Sequence, residues 1–215
     1  PEARACRWWN NRLVLLNDPR YQGGGRLLVL SELGGGPAGR RPGQFAFPAQ
    51  NNISVPTYEN DDGIGLGEVN GRLMIGMRRS MWVLSGAGQG AIGEGYDLRR
   101  VAGAAGMVNP LAAVTVPREG SDLFVWVSTT GIFASNGISA RRLTSRSKTN
   151  LNLWWKFNVQ KGLLVGARAR VVQQASRVDF LIPIISRGAT SSGIRMCLLS
   201  WHYDIDEFVI RGLAF

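Results

Sequence analysis

The chain repeats itself, and that repetition limits the folds open to it more than any other property. Two strand-like runs, Ile64–Val69 and Arg72–Met77, flank Asn70-Gly71. Both residues of that dipeptide accept the positive φ that a type I′ hairpin turn demands. Met81-Trp82-Val83-Leu84-Ser85 follows after three residues, and Tyr96–Val101 supplies a fourth run. The order then recurs: Ala112–Val116, a turn at Glu119-Gly120-Ser121, Asp122–Ser128, Ile132–Ser135 and, past Asn136-Gly137, Ile138–Leu143. Leu73 aligns with Leu123 and Trp82 with Phe133, offsets of 50 and 51 residues. Weaker copies flank these two. Trp8-Trp9 leads through Asn10-Asn11 into Arg12–Leu16, and Arg26–Ser31 follows Gly23-Gly24-Gly25. Near the other end, Arg177–Ile184 precedes a Ser/Gly loop at Ser186–Gly193, then Ile194–Trp201 and Glu207–Ile210.

Four meanders at this spacing predict an all-β chain, β-propeller-like, with about four four-stranded meander blades and one short helix. Each small sheet hides its faces only against its neighbours, so such a fold requires the repetition. The blades fall at about 4–55, 64–102, 111–143 and 163–211 in a single propeller-like domain over 1–215. A β-sandwich or barrel is the competing reading, since it too strings short strands between turns. Two stretches fit no strand. Residues 34–48 form a long Gly/Pro/Arg loop, and an insertion at 144–158 carries Thr144 as a helix N-cap before Leu151, Leu153, Trp154 and Trp155. With 45% apolar and 19% charged residues, a disordered tail and a coiled coil are excluded. No run of 18 apolar residues occurs, so no membrane-spanning helix is expected. Pro1-Glu2-Ala3-Arg4 opens without the apolar run of a secretion signal. A start at proline is consistent with one piece of a longer or processed polypeptide.

Charge is unevenly placed. Of the 25 basic residues 22 are arginine, and the formal net charge is +10. Residues 1–140 carry 13 basic and 11 acidic side chains; residues 141–215 carry 12 and 4. Arg141, Arg142, Arg146, Lys148, Lys156, Lys161, Arg168, Arg170 and Arg177 lie in one segment without an acid. A solvated basic face is the plain reading; contact with phosphates or an acidic protein rim is the functional one, favoured by arginine's bidentate fork. Trp154, Trp155 and Phe157 interleave with these cations and would either stack bases or pack between blades.

Catalytic signatures are sparse. His202 is the only histidine, and no GxSxG, HExxH or Cys/His nucleophile pattern accompanies it. Cys6 and Cys197 have no CxxC spacing and read as small core hydrophobes, in keeping with a reduced, intracellular origin. Asp61-Asp62-Gly63 and Asp204-Ile205-Asp206-Glu207 are too few oxygen ligands for calcium. Gly88–Gly93 matches GxGxxG, but Gly95 interrupts the helix that dinucleotide binding would need. No cofactor, metal or catalytic residue is expected.

Three segments carry a family resemblance. They are Gly71-Arg72-Leu73-Met74-Ile75-Gly76 through Ser80-Met81-Trp82-Val83-Leu84-Ser85-Gly86; Leu123–Ser128 followed by Thr130-Gly131-Ile132-Phe133-Ala134-Ser135-Asn136-Gly137; and Asn11-Arg12-Leu13-Val14-Leu15 followed by Val29-Leu30-Ser31-Glu32. In content and order they resemble the β-propeller hub and nozzle proteins of short-tailed bacteriophages, which include packaged-DNA stabilisation proteins and tail tubular proteins of the B type. The resemblance implies a virion protein of the tail or head–tail junction, made in the host cytoplasm and without enzymatic activity. It also implies a homo-oligomeric ring that meets the portal or adaptor and other tail proteins, extends the DNA channel, and retains or passes the genome. The basic segment would then meet packaged DNA through phosphates rather than bases. Reversing Arg141, Arg142 and Arg146 together is expected to impair assembly or DNA retention more than folding stability. Two other readings stand beside it: a propeller binding module whose loops 34–48 and 86–95 hold carbohydrate or protein, and a propeller hydrolase using scattered carboxylates such as Asp61 or Asp204.

Overall fold

A computed structural model describes residues 3–21, 24–31, 47, 51–57, 60–86, 95–145, 151–185 and 193–212. Among them, sixteen strands form four antiparallel sheets, each a run of four consecutive strands. The first holds β1 (Ala5–Trp9), β2 (Arg12–Leu16), β3 (Leu27–Leu30) and β4 (Asn52–Ser54). The second holds β5 (Gly63–Val69), β6 (Arg72–Met77), β7 (Met81–Ser85) and β8 (Asp97–Arg100). The third holds β9 (Ala113–Val116), β10 (Leu123–Ser128), β11 (Gly131–Ser135) and β12 (Ala140–Arg142). The fourth holds β13 (Arg168–Val172), β14 (Arg177–Ile185), β15 (Ile194–His202) and β16 (Glu207–Gly212). The expected all-β architecture of four meanders with one helix is therefore present.

Turn chemistry places the hairpins. Asn70 and Gly71 sit at φ 49° and 72°, and Asn10 and Asn11 at 51° and 58°, the left-handed pairs that a type I′ turn needs. Asn136-Gly137 behaves otherwise: only Gly137 has positive φ, at 90°, and Ser135 pairs with Ala140 across a four-residue loop. The helix, α1, spans Leu151–Asn158. Thr144 is buried in a 3-10 turn over Leu143–Ser145 and does not cap it.

Three apolar seams join successive sheets. Trp9, Val14 and Leu16 meet Leu73, Ile75 and Trp82 between the first and second. Met74, Val83 and Met107 meet Phe124, Trp126 and Phe133 between the second and third. Val125, Ile132 and Trp155 of α1 meet Val178, Phe180 and Trp201 between the third and fourth. The strands opening each meander abut in order, β1 on β5, β5 on β9 and β9 on β13.

Glycine makes the middle strand thin enough for this. A Cβ on Gly63 would lie 2.5 Å from the Leu16 side chain; past a bulge between Gly63 and Gly65, one on Gly67 would lie 2.1 Å from the Phe124 ring. Gly67→Val is expected to lower stability by about 2–3 kcal/mol, the cost of forcing atoms into a filled seam. Gly162→Ala, with nothing within 4 Å of the added carbon, is expected to stay within about 0.5 kcal/mol. Urea-unfolding midpoints would read both.

Polar ties lock the seams at their rims. Trp9 Nε1 donates to the Gly71 carbonyl at 3.0 Å, and Asn10 Nδ2 to the Gly86 carbonyl just past β7 at 2.8 Å. Asn70 repeats the Asn10 contact one sheet further on: its Nδ2 reaches the Asn136 carbonyl just past β11 at 3.2 Å, and its Oδ1 accepts from the Asp122 amide at 3.0 Å. The turn asparagines thus make both the hairpin and the link to the next sheet.

Candidate nucleic-acid interface

The basic segment divides into cations built into the fold and cations left at the surface. Arg141, on edge strand β12, forks onto Asp206 of the fourth sheet with contacts of 2.7 and 3.4 Å. Asp206 also accepts from Trp201 Nε1 at 3.0 Å, so this pair fastens the third sheet to the fourth. Arg142 donates to the Thr144 hydroxyl at 3.1 Å and to the Asn152 side chain on α1. Burial pushes its guanidinium below the ordinary arginine value. Arg177 serves the buried Asp179, whose carboxylate takes Arg177 Nε at 3.0 Å and the Ser200 hydroxyl at 2.7 Å.

Lys156, Lys161, Arg168 and Arg170 differ. Lys156 lies on α1 with its ammonium 5.7 Å from the Phe157 ring centroid, and Lys161 opens the following 3-10 turn. Arg168 and Arg170 alternate along β13 with their Cβ atoms on one face of the fourth sheet. Arg168 also donates to the carbonyls of Val165 and Ala167, while Arg170 touches Asp179 only at 3.9 Å and keeps 78% of its side chain exposed. Phe157 is half exposed, whereas Trp155 is buried with its Nε1 on the Thr129 carbonyl at 3.3 Å. Of the interleaved aromatics, Phe157 alone has a large exposed ring face beside a described cation, and Trp154 packs partly on the seam. Arg146 and Lys148 lie outside the described residues, as do Gly88–Gly93 and most of loops 34–48 and 86–95.

No protein-family model and no curated protein matches the chain.

Of the two cysteines read as core hydrophobes, one lies in the core and the other does not. Cys6 is exposed on β1, not in the core; Cys197 is buried, and burial pushes its thiol up. His202 is half-buried on β15 between Arg177 and Glu207. Asp61 is 1% exposed, with its carboxylate taken up by the Arg79 amide and the hydroxyls of Thr57 and Ser80, each at 2.5 Å. Those partners lie up to 19 residues away and fall together only when β5 meets the β6–β7 hairpin. Among the described residues no group of three or more His, Cys, Asp or Glu converges on a metal-binding geometry.

Because Arg141 and Arg142 are engaged within the chain, reversing them strikes the join between third and fourth sheets, and stability falls along with any effect on partners. A double-mutant cycle of Arg141→Gln and Asp206→Asn is expected to give a coupling of about 1 kcal/mol by thermal unfolding, the upper range for a pair about a third exposed. A coupling near zero would make the pair incidental.

Proposed function

We propose that the four sheets are blades of a β-propeller acting as a structural virion protein, a ring-forming hub or nozzle at a phage head–tail junction. Lys156, Lys161, Arg168 and Arg170 contact DNA phosphates or an acidic neighbouring protein. The observation that carries this reading is the ordered abutment of β1, β5, β9 and β13, the relation that first strands have around a propeller axis. The first sheet adds to it: Trp8 is 49% exposed on the face away from the seam, and a neighbouring copy would cover such a face.

Mass photometry and negative-stain imaging of the purified chain, alone and mixed with a phage portal protein, test the reading. Rings or a portal complex are the expected result. A monomer that ignores the portal and instead binds a glycan with one-to-one stoichiometry would replace it with the binding-module reading.

A further inference from the structure

A cavity of about 300 Å³ opens at the seam between the first and second sheets, away from the basic segment. Thr57, Asp61, Ser80 and Trp82 form its wall, and Arg79 and Arg100 reach it from two strands' ends. The wall is fixed. Asp61 binds the Thr57 and Ser80 hydroxyls, and Ser80 Oγ accepts from Trp82 Nε1 at 2.9 Å. Both hydroxyl protons point to the carboxylate, so neither is free to serve a ligand. The two arginines supply the open donors. Asp61 anchors the Arg79 backbone, and ladder register sets Arg100 opposite Trp82.

The arginines come as two doublets, and each splits the same way. Arg78 is paired with Asp62 at 3.2 Å and Arg99 with Asp97 at 2.8 Å. Arg79 and Arg100, the members at the cavity, have no side-chain partner among the described residues. The third sheet shows what such a position takes. There Phe133 faces Arg142 as Trp82 faces Arg100, and Arg142 is satisfied by the side-chain oxygens of Thr144 and Asn152. In the second sheet Arg100 instead lines the cavity, with no side-chain oxygen bonded to it among the described residues. Two guanidiniums against one carboxylate whose lone pairs are already engaged favour an anionic oxygen ligand.

We propose that this seam cavity binds an oxyanion, a phosphate or carboxylate group, through Arg79 and Arg100, with Asp61 positioning the hairpin that carries Arg79. The site is separate from the basic surface of the proposed DNA contact.

The test is calorimetric titration of inorganic phosphate into the full chain, into Arg79→Gln/Arg100→Gln, and into Arg78→Gln/Arg99→Gln as a control that removes as many charges next door. All four side chains are exposed, and far-UV circular dichroism verifies each variant's fold. One saturable site is expected, weakened at least about tenfold in the cavity variant and within about twofold in the control. Equal weakening in both variants, or no saturation below about 50 mM phosphate, overturns the proposal. A short DNA duplex identifies the source of the group. Displacement of phosphate by the duplex assigns the site to a nucleic-acid backbone, and phosphate binding without displacement assigns it to a free oxyanion. Ring assembly does not enter this measurement, so failure here leaves the structural reading to its own test.

Discussion

Replacing Trp126 with alanine is expected to destabilise the chain by about 3–5 kcal/mol, the range for truncating a fully buried aromatic. Trp126 has no exposed surface and lies between Phe124 and Phe133, at 5.8 and 5.7 Å between ring centroids, with interplanar angles of 24° and 19°. Its Nε1 also supplies the donor for the Ala105 carbonyl at 3.0 Å, in the segment leading from second sheet to third. Alanine therefore empties the middle of a seam and orphans a carbonyl. For a chain of this size the melting temperature should fall by roughly 10 °C. Trp126→Phe keeps the ring stack but not the donor, and should lose about 1–2 kcal/mol. A loss below about 1 kcal/mol for the alanine variant would mean that the stack contributes little.

Reversing Lys156, Lys161, Arg168 and Arg170 to glutamate should produce the largest change in binding. If each cation neutralises one phosphate, removing all four should lower the slope of log affinity against log salt by about 3.6. Because these residues sit on α1, the following 3-10 turn and one face of β13, unfolding midpoints should move by less than about 1 kcal/mol. Fluorescence anisotropy with a duplex of mixed sequence, repeated at several salt concentrations, reads the slope. An unchanged slope would remove DNA from the account and leave an acidic protein as the partner.

Local chemistry made much of the fold legible before any coordinates. Asn10-Asn11 and Asn70-Gly71 announce hairpins because the positive φ they require is a property of two adjacent residues. The runs around Trp82 and Phe133 announce third strands because each sets an aromatic beside a β-branched residue in a short apolar run closed by turn residues. Legibility failed where a side chain's partner is remote in sequence. Arg141 reads as a free cation until Asp206, 65 residues on, arrives across a seam. Asp61 reads as half of an acidic pair until Thr57 and Ser80 surround it. The glycines of β5 look like weak strand residues until Leu16, Pro110, Met107 and Phe124, all remote in sequence, close on them. Thr144 misled for another reason: its hydroxyl suits a helix N-cap, yet it is used by Arg142.

The bare strand β5 has a mechanical consequence. Gly63 touches the first sheet and Gly67 the third, so neighbours on both sides rest on main chain and not on rotatable groups. A push on one neighbour reaches the other across a short stretch of paired main chain. Slow amide exchange across β5, β6 and β7 as one block would be its signature.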